Sequence, residues 1–319
     1  VPTLSEVLAE LDTLWPAELA ESWDAVGLVC GEPEAEVSRV LFAVDPVREV
    51  VEEAVRIGAD LLVTHHPLYL RGTTTVAPVG PAGFKGRVVH DLIGNGVALL
   101  VAHTNADRAD PGVSDALAEA LGLRITGPLV PDPADPAGHR GLGRIGETAA
   151  PLTLAEFARR AAEALPRTAT GLRIAGDPQA PVRTVAVCGG SGDSLFAQVR
   201  AAGVDAYVTA DLRHHPASEA QQAGPPALVD AAHWATEWPW CEQAAAQLDA
   251  ISDRHGWALR THVSYEVTDP WTAHAAHTVA PETPETPGSP EAGNAPGIPG
   301  TPGTPDTTPS PSTRTGAPR

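Results

Sequence analysis

The chain has 319 residues, 43% of them hydrophobic, with a formal net charge of -19 and a pI near 4.9. This length allows one large globular domain or two small ones, and the acidic balance argues against nucleic acid or an anionic membrane surface as partner, because such binding needs clustered Lys and Arg. The three cysteines, Cys30, Cys188 and Cys241, lie far apart with no C-x-x-C pair, which fits a reducing compartment.

From residue 4 the apolar positions Leu4, Val7, Leu8, Leu11, Leu14 and Trp15 recur at helical spacing, and Thr3 with Glu6 makes a capping box. A helix over 4–19 is expected. The first ten residues lack the basic and apolar regions of a secretory leader, and no apolar run reaches the roughly 18 residues of a membrane span. A cytoplasmic protein is expected. β-forming runs at 22–29 and 40–46, a helix at 47–58 and a buried strand ending in Leu61-Leu62-Val63 follow, an alternation that predicts parallel α/β layering. At that strand's end stand His65 and His66, and Pro67 stops the strand by removing a ladder donor. Carboxyl ends of strands are where open sheets collect ligands and catalytic groups. Residues 71–86 read as a mobile loop and 88–95 as a short helix. The strand 96–102 then runs into His103, with Asp107 four residues on, and a helix over 113–121 closes a first half spanning 1–126.

Residues 127–140, dense in Pro and Asp, read as a linker to a second half over 141–279. Gly141-Leu142-Gly143-Arg144-Ile145-Gly146 matches G-x-G-x-x-G in form, but a Pro-rich loop rather than a strand precedes it, which argues against dinucleotide binding. A helix at 153–165, a strand at 182–188 and a glycine-rich turn at 189–194 lead into a helix at 195–202; the turn, with Ser191, offers backbone donors that could hold an anion. Residues 280–319 are mainly Pro, Thr, Gly, Ser and Glu and cannot bury enough apolar surface to offset their ordering entropy, so a disordered tail is expected.

Set against itself, the chain shows a duplication. Gly58-Ala59-Asp60-Leu61-Leu62-Val63-Thr64, leading into His65-His66-Pro67, is echoed by Gly203-Val204-Asp205-Ala206-Tyr207-Val208-Thr209, leading into His214-His215-Pro216. The run 97–103, ending in His103, is echoed by 227–233, ending in His233, and a carboxylate lies four residues beyond each histidine, Asp107 and Glu237. Two similar α/β halves, with mixed sheets flanked by helices, could bring their strand-end histidines to one cleft. A lone His pair is more often structural than functional; the repetition shifts the balance. His65, His66, His103, Asp107, His233 and Glu237 are too many for one tetrahedral site with an open position but enough for two divalent ions. Imidazole suits zinc, iron or nickel, and carboxylates suit harder ions such as manganese and can bridge two cations. A pair of ions roughly 3.5–4 Å apart activates water for attack on carbon or phosphorus. Trp23, Asp24, His214 and His215 stand as further pocket candidates, each with a structural reading beside it.

Several ordered motifs, Ser22-Trp23-Asp24, Thr64-His65-His66-Pro67, His103-Thr104-Asn105-Ala106-Asp107, the 141–146 run and Asp230 through Glu237, resemble those of the dinuclear-metal-centre proteins called GTP cyclohydrolase I type 2 homologues, the Nif-three-like family. The resemblance covers about residues 4–268. It implies that the six residues named above ligate two divalent ions in the cleft between the halves, that the chain assembles as a hexameric ring, and that a small-molecule substrate enters. Ala25, Ala210 and Ala232 stand where the family usually carries Asn, Gly and Gly, and none of these is a ligand position. Two function classes follow: a metal-dependent hydrolase acting on a nucleotide or related heterocycle, with GTP ring opening as the named case, or a ring that stores, senses or presents metal without turnover.

Overall fold

The computed structural model describes residues 1–81 and 83–275, so the expected disordered tail at 280–319 and the last residues assigned to the second half lie outside the described residues. The first part of the chain runs through α1 (Leu4–Leu14), β1 (Gly27–Cys30), β2 (Arg39–Ala43), α2 (Arg48–Ile57), β3 (Leu61–Thr64), α3 (Gly83–Gly94), β4 (Ala98–Val101), α4 (Thr104–Arg108) and α5 (Val113–Ala120). The remainder supplies β5 (Arg124–Pro131), β6 (Gly141–Thr153), α6 (Leu154–Ala164), β7 (Arg173–Ala175), β8 (Pro181–Ser191), α7 (Phe196–Ala202), β9 (Ala206–Ala210), α8 (His214–Gln222), β10 (Ala227–Ala231), α9 (His233–His255) and β11 (Arg260–Val263). None of the described helices is long and apolar enough to cross a membrane.

These elements form two mixed sheets flanked by helices. The first has strand order β1-β4-β3-β2-β11, parallel except for β1; the second has order β5-β6-β8-β9-β10-β7, with β8, β9 and β10 parallel. Strand alternation sorts the core. Val40, Phe42, Leu61 and Val63 pack with Leu4 and Leu11 of α1 and Trp240 and Leu248 of α9, whereas Leu41, Leu62 and Leu99 pack with Val51 of α2 and Leu92 of α3. Both faces are covered, which is why these strands read as continuous apolar runs. The second sheet is built alike: Val185, Val208 and Val229 meet Leu154 and Phe157 of α6, and Ala186, Tyr207 and Leu228 meet Val199 of α7 and Ala220 of α8. Helix α9 touches β2 and β11 of one sheet and β8 and β9 of the other.

The duplication extends to local devices. Thr3 and Thr153 each cap an 11-residue helix through a capping box closed by Glu6 and Glu156. Gly58 and Gly203 each end a helix in the left-handed region, both at φ 66, where a side chain would be strained. Asp60 then accepts the N–H groups of Ser38 and Arg39, as Asp205 accepts those of Arg183 and Thr184. Register fixes the alignment: Leu61 pairs with Ala98 as Ala206 pairs with Ala227. His65 and His66 therefore correspond to Ala210 and Asp211, not to His214 and His215, which open α8 and are exposed. By the same register His103 matches Ala232, and His233 stands one position later.

Other expectations change with tertiary context. Helix α1 stops at Leu14 because Trp15 precedes Pro16, a placement that disfavours helical backbone. Helix α3 begins at Gly83, inside the expected loop, where Gly86 lets the helix pass close to the carbonyls of Val76 and Ala77. The supposed linker is strand in its first five residues: 127–131 belong to β5, which pairs antiparallel with β6, and 132–140 connect them. The 141–146 run lies in β6, and Arg144 within it is 1% exposed, bound to Asp115 and to the carbonyls of Gly141, Gly143 and Ala109. Nor does the second half stay apart, since β11 returns to pair with β2 in the first sheet.

Candidate metal centre

The ends of β3, β4 and β10 deliver side chains to one point. The apolar run of β3 carries His65 to complete burial, with His66 beside it. β4 ends two residues before His103, the residue that caps α4, and one turn of that helix places Asp107 on the same side. Helix α9 opens at His233, so Glu237 at i+4 lies above it on one helical face, with His233 Nε2 3.0 Å from Glu237 Oε1. The six residues converge: Glu237 Oε1 is 3.5 Å from His65 Nε2, Glu237 Oε2 is 3.0 Å from His66 Nε2, and Asp107 Oδ1 is 3.8 Å from His65 Nε2. Among the described residues, two sets place their donor atoms within 4.8 Å of one another, namely His65, His66 and His103, and His66, His233 and Glu237.

The outer contacts fix how each ring faces. His65 Nδ1 donates to the carbonyl of Ala102 at 2.9 Å, His66 Nδ1 to Asp45 at 2.7 Å, His103 Nδ1 to Asp24 at 2.8 Å and His233 Nδ1 to Asp211 at 2.6 Å. A carbonyl or carboxylate oxygen can only accept, so each Nδ1 carries a proton and each Nε2 faces the centre, where it offers a lone pair to a cation once any proton of its own has left. His65 Nε2 is buried without a hydrogen-bond partner, which a buried polar atom tolerates only at a cost of about 1–3 kcal/mol unless something else meets it. Outward-anchored imidazoles, inward-facing Nε2 atoms and an orphaned buried nitrogen fit a divalent cation site.

Electrostatics point the same way. Burial opposes charge on His66 and His233, but Glu237 and the bracing carboxylates Asp45 and Asp211 outweigh it and push them up to about 11 and about 10. Burial likewise resists ionisation of Glu237, yet His66, His233 and His65 hold its carboxyl well below the usual range. Burial pushes Asp107 up to about 6 against the pull of His65. The carboxylates thus demand compensating positive charge, which protons or a metal ion can supply.

Sequence reasoning missed the second layer. Asp45 and Asp211 both lie just past strand ends, the one signal that could have marked them. Asp211 sits at φ 57, the only described non-glycine residue at positive φ, held there with its carboxylate on His233. Gly190, at φ 66, runs so close that a Cβ would collide with Glu237 Oε1 and lie 3.0 Å from His233 Nε2. A cavity of about 420 Å3 opens beside the centre, lined by Trp23, His103, Asp107, Arg108, Ser191 and Glu237 among others. Of the pocket candidates, Trp23 is exposed at this mouth with its ring 6.1 Å from that of His103, Ser191 lines the wall, and Asp24 braces His103 and Thr104 from behind. His214 and His215 do not line it; His214 lines a separate groove with Arg173 and Leu212.

The comparisons agree with this architecture. A chain from Streptomyces coelicolor named GTP cyclohydrolase 1 type 2 homolog is 74% identical over 276 residues, covering 86% of this chain and 96% of that one. A protein of the same name from Mycobacterium tuberculosis is 39% identical, over 84% of this chain and 96% of its own length. Among solved structures, a Bacillus cereus protein related to NIF3 superposes with a TM-score of 0.77 at 26% identity, covering 85% of this chain and 99% of that one. Reduced HcgD from Methanocaldococcus jannaschii gives 0.64 at 27% identity, covering 83% and 98%. The family model that matches residues 2–270 is that of Duf34/NIF3, NGG1p interacting factor 3, and the chain belongs to that family.

Proposed function

We propose that this protein holds two divalent ions between its two sheets and uses them to hydrolyse a nucleotide or related heterocycle. The observation that carries the metal reading is the common direction of four imidazoles, each fixed at Nδ1 by an outer acceptor and each turning Nε2 toward Glu237 or its neighbours. His65, His66, His103, Asp107, His233 and Glu237 would be the ligands, with the two oxygens of Glu237 serving both groups. When bound, such a pair lowers the pKa of water and polarises an oxygen of the substrate. The chain's own residues then bind and orient. Trp23 offers an exposed indole at the cavity mouth for a flat ring to stack on, and Arg108, paired with Glu21 of the same wall, adds guanidinium donors. Asp24 holds both His103 and the first N–H of α4, so it keeps that ring in place while substrate enters. The hydrolase half of the reading is supported by this cavity and by the names that the Streptomyces and Mycobacterium relatives carry.

The test is elemental analysis of protein purified without a His tag, followed by assay of the loaded protein against GTP and a small nucleotide panel. About two ions per chain and substrate consumption that is lost in Glu237→Gln are expected. Metal without turnover across the panel would favour the storage or sensing role instead, and absence of metal would sink both. The hexameric ring is part of the same proposal, and light scattering should report about six times the 33.0 kDa chain mass.

A further inference from the structure

The centre is reached from two sides. Besides the cavity at Trp23, a larger one of about 600 Å3 reaches the ligand set at His66 and His233, the latter lining both cavities, and is walled by Asp45, Asp211, Asp230 and Asp269. The two differ in character. Both present an exposed indole, Trp23 or Trp271, but on the Trp23 side the carboxylates are the proposed ligands Asp107 and Glu237 together with Glu21, which pairs with Arg108, whereas the larger side carries four carboxylates outside the ligand set against one guanidinium, Arg173, which is already paired with Asp230. Asp45 and Asp211 are engaged in bracing His66 and His233. Asp269 is not. It is 8% exposed, and its Oδ2 has no hydrogen-bond partner, although its carboxyl lies near enough to Asp211 to feel that charge. A buried carboxylate without a partner, in the wall of an acidic cavity that ends on two imidazoles, is arranged for a cation.

We propose that this second cavity is a loading vestibule, in which Asp269 with Asp211 receives a hydrated divalent cation and passes it to the His66 and His233 side of the centre. The inference rests on the metal reading above and assigns the two cavities different tasks: substrate on the Trp23 side, metal on the Asp269 side. Asp269 is not one of the six proposed ligands and braces none of them by a hydrogen bond, so Asp269→Asn should leave the equilibrium site intact and alter only the way in. Removing one carboxylate from a focusing cavity lowers the association rate, and salt screens the difference.

The experiment is stopped-flow addition of Co2+ to metal-free protein, followed by the cobalt absorption band. At low ionic strength Asp269→Asn should take up Co2+ about 3- to 10-fold more slowly, reach the same final amplitude, and approach the wild-type rate in about 0.5 M salt. Arg173→Gln, which removes the one guanidinium of the cavity wall, should accelerate uptake, and Glu21→Gln, at the Trp23 side, should leave it unchanged. Equal rates for Asp269→Asn and wild type, slowing by Glu21→Gln instead, or a lower final amplitude in Asp269→Asn would each overturn the vestibule. A wild-type protein with no cobalt band would overturn the metal reading itself, an outcome distinct from a full band with unaltered rates.

Discussion

His66 and Asp211 occupy the same place in two copies of one design, and they do opposite work. Each follows a parallel strand latched by an aspartate, Asp60 or Asp205, and preceded by a left-handed glycine. In the first copy that place presents an imidazole inward and takes its brace from Asp45. In the second it supplies the brace, to His233. A similar reversal holds three residues beyond the paired positions Phe42 and Val187: the first copy has Asp45, which is needed, and the second has Gly190, where a side chain would strike Glu237. Duplication has kept the frame that aims the backbone and divided the labour of the side chains, one lobe presenting most donors and the other orienting and closing.

That comparison can be broken or sharpened. The largest effect should come from Asp115→Ala, which joins the lobes rather than belonging to either: it strands the buried Arg144 guanidinium, paired at 2.6–2.7 Å, and should cost about 3–5 kcal/mol in denaturant unfolding. Next, Glu237→Gln keeps the volume but removes the charge on which both donor groups depend. Metal content should fall from about two ions per chain toward one or fewer while the metal-free protein remains folded; retention of both ions would remove Glu237 from the ligand set.

The two braces should then separate. Asp45→Asn and Asp211→Gly are each expected to weaken metal binding about 10- to 100-fold, measured by competition with a chelator. Both lose a charge-assisted bond to a histidine, but only Asp211→Gly also relieves a positive φ, so the metal-free protein should lose less stability with it than with Asp45→Asn, by up to about 1 kcal/mol. Equal stability changes would mean that the backbone at residue 211 stores no strain. The pH dependence follows from the protons that the ion displaces. Without metal, His66 and His233 are held charged up to about 11 and about 10, so binding must release protons and affinity must fall as pH falls, about tenfold per unit for each proton displaced. Calorimetry in buffers of different ionisation heat counts those protons, and a pH-independent affinity would contradict the arrangement. The smallest effect belongs to His214→Ala: exposed on α8 and away from the centre, it should change stability by less than about 0.5 kcal/mol and leave metal content alone.

What could be read in the sequence was whatever local pattern determines. Thr3 with Glu6 announces a helix start, and Leu61-Leu62-Val63 running into two histidines marks a strand end at a site. The six converging residues were legible because each follows such an end or lies one helical turn beyond it. Register was not legible, since it depends on which strands pair: the apolar runs alone set His103 against His233, one residue off, and the second His-His-Pro against the first. The β5–β6 pair hid behind prolines and glycines that usually signal loops, and Asp45 and Asp211 hid because a bracing carboxylate shows only once its histidine has arrived.

The place of β11 has a consequence for how the molecule comes into being. The first sheet needs residues 260–263 along the free side of β2, yet those residues leave the ribosome only after the whole second sheet has been made. Until then β2 presents unpaired backbone, and the helix that covers that face, α9, has not been synthesised either. The first lobe is therefore not a unit that can mature during translation and wait for its twin. The second sheet is inserted within it, and a chain interrupted anywhere between residues 141 and 259 leaves the nascent first lobe open to the wrong neighbour.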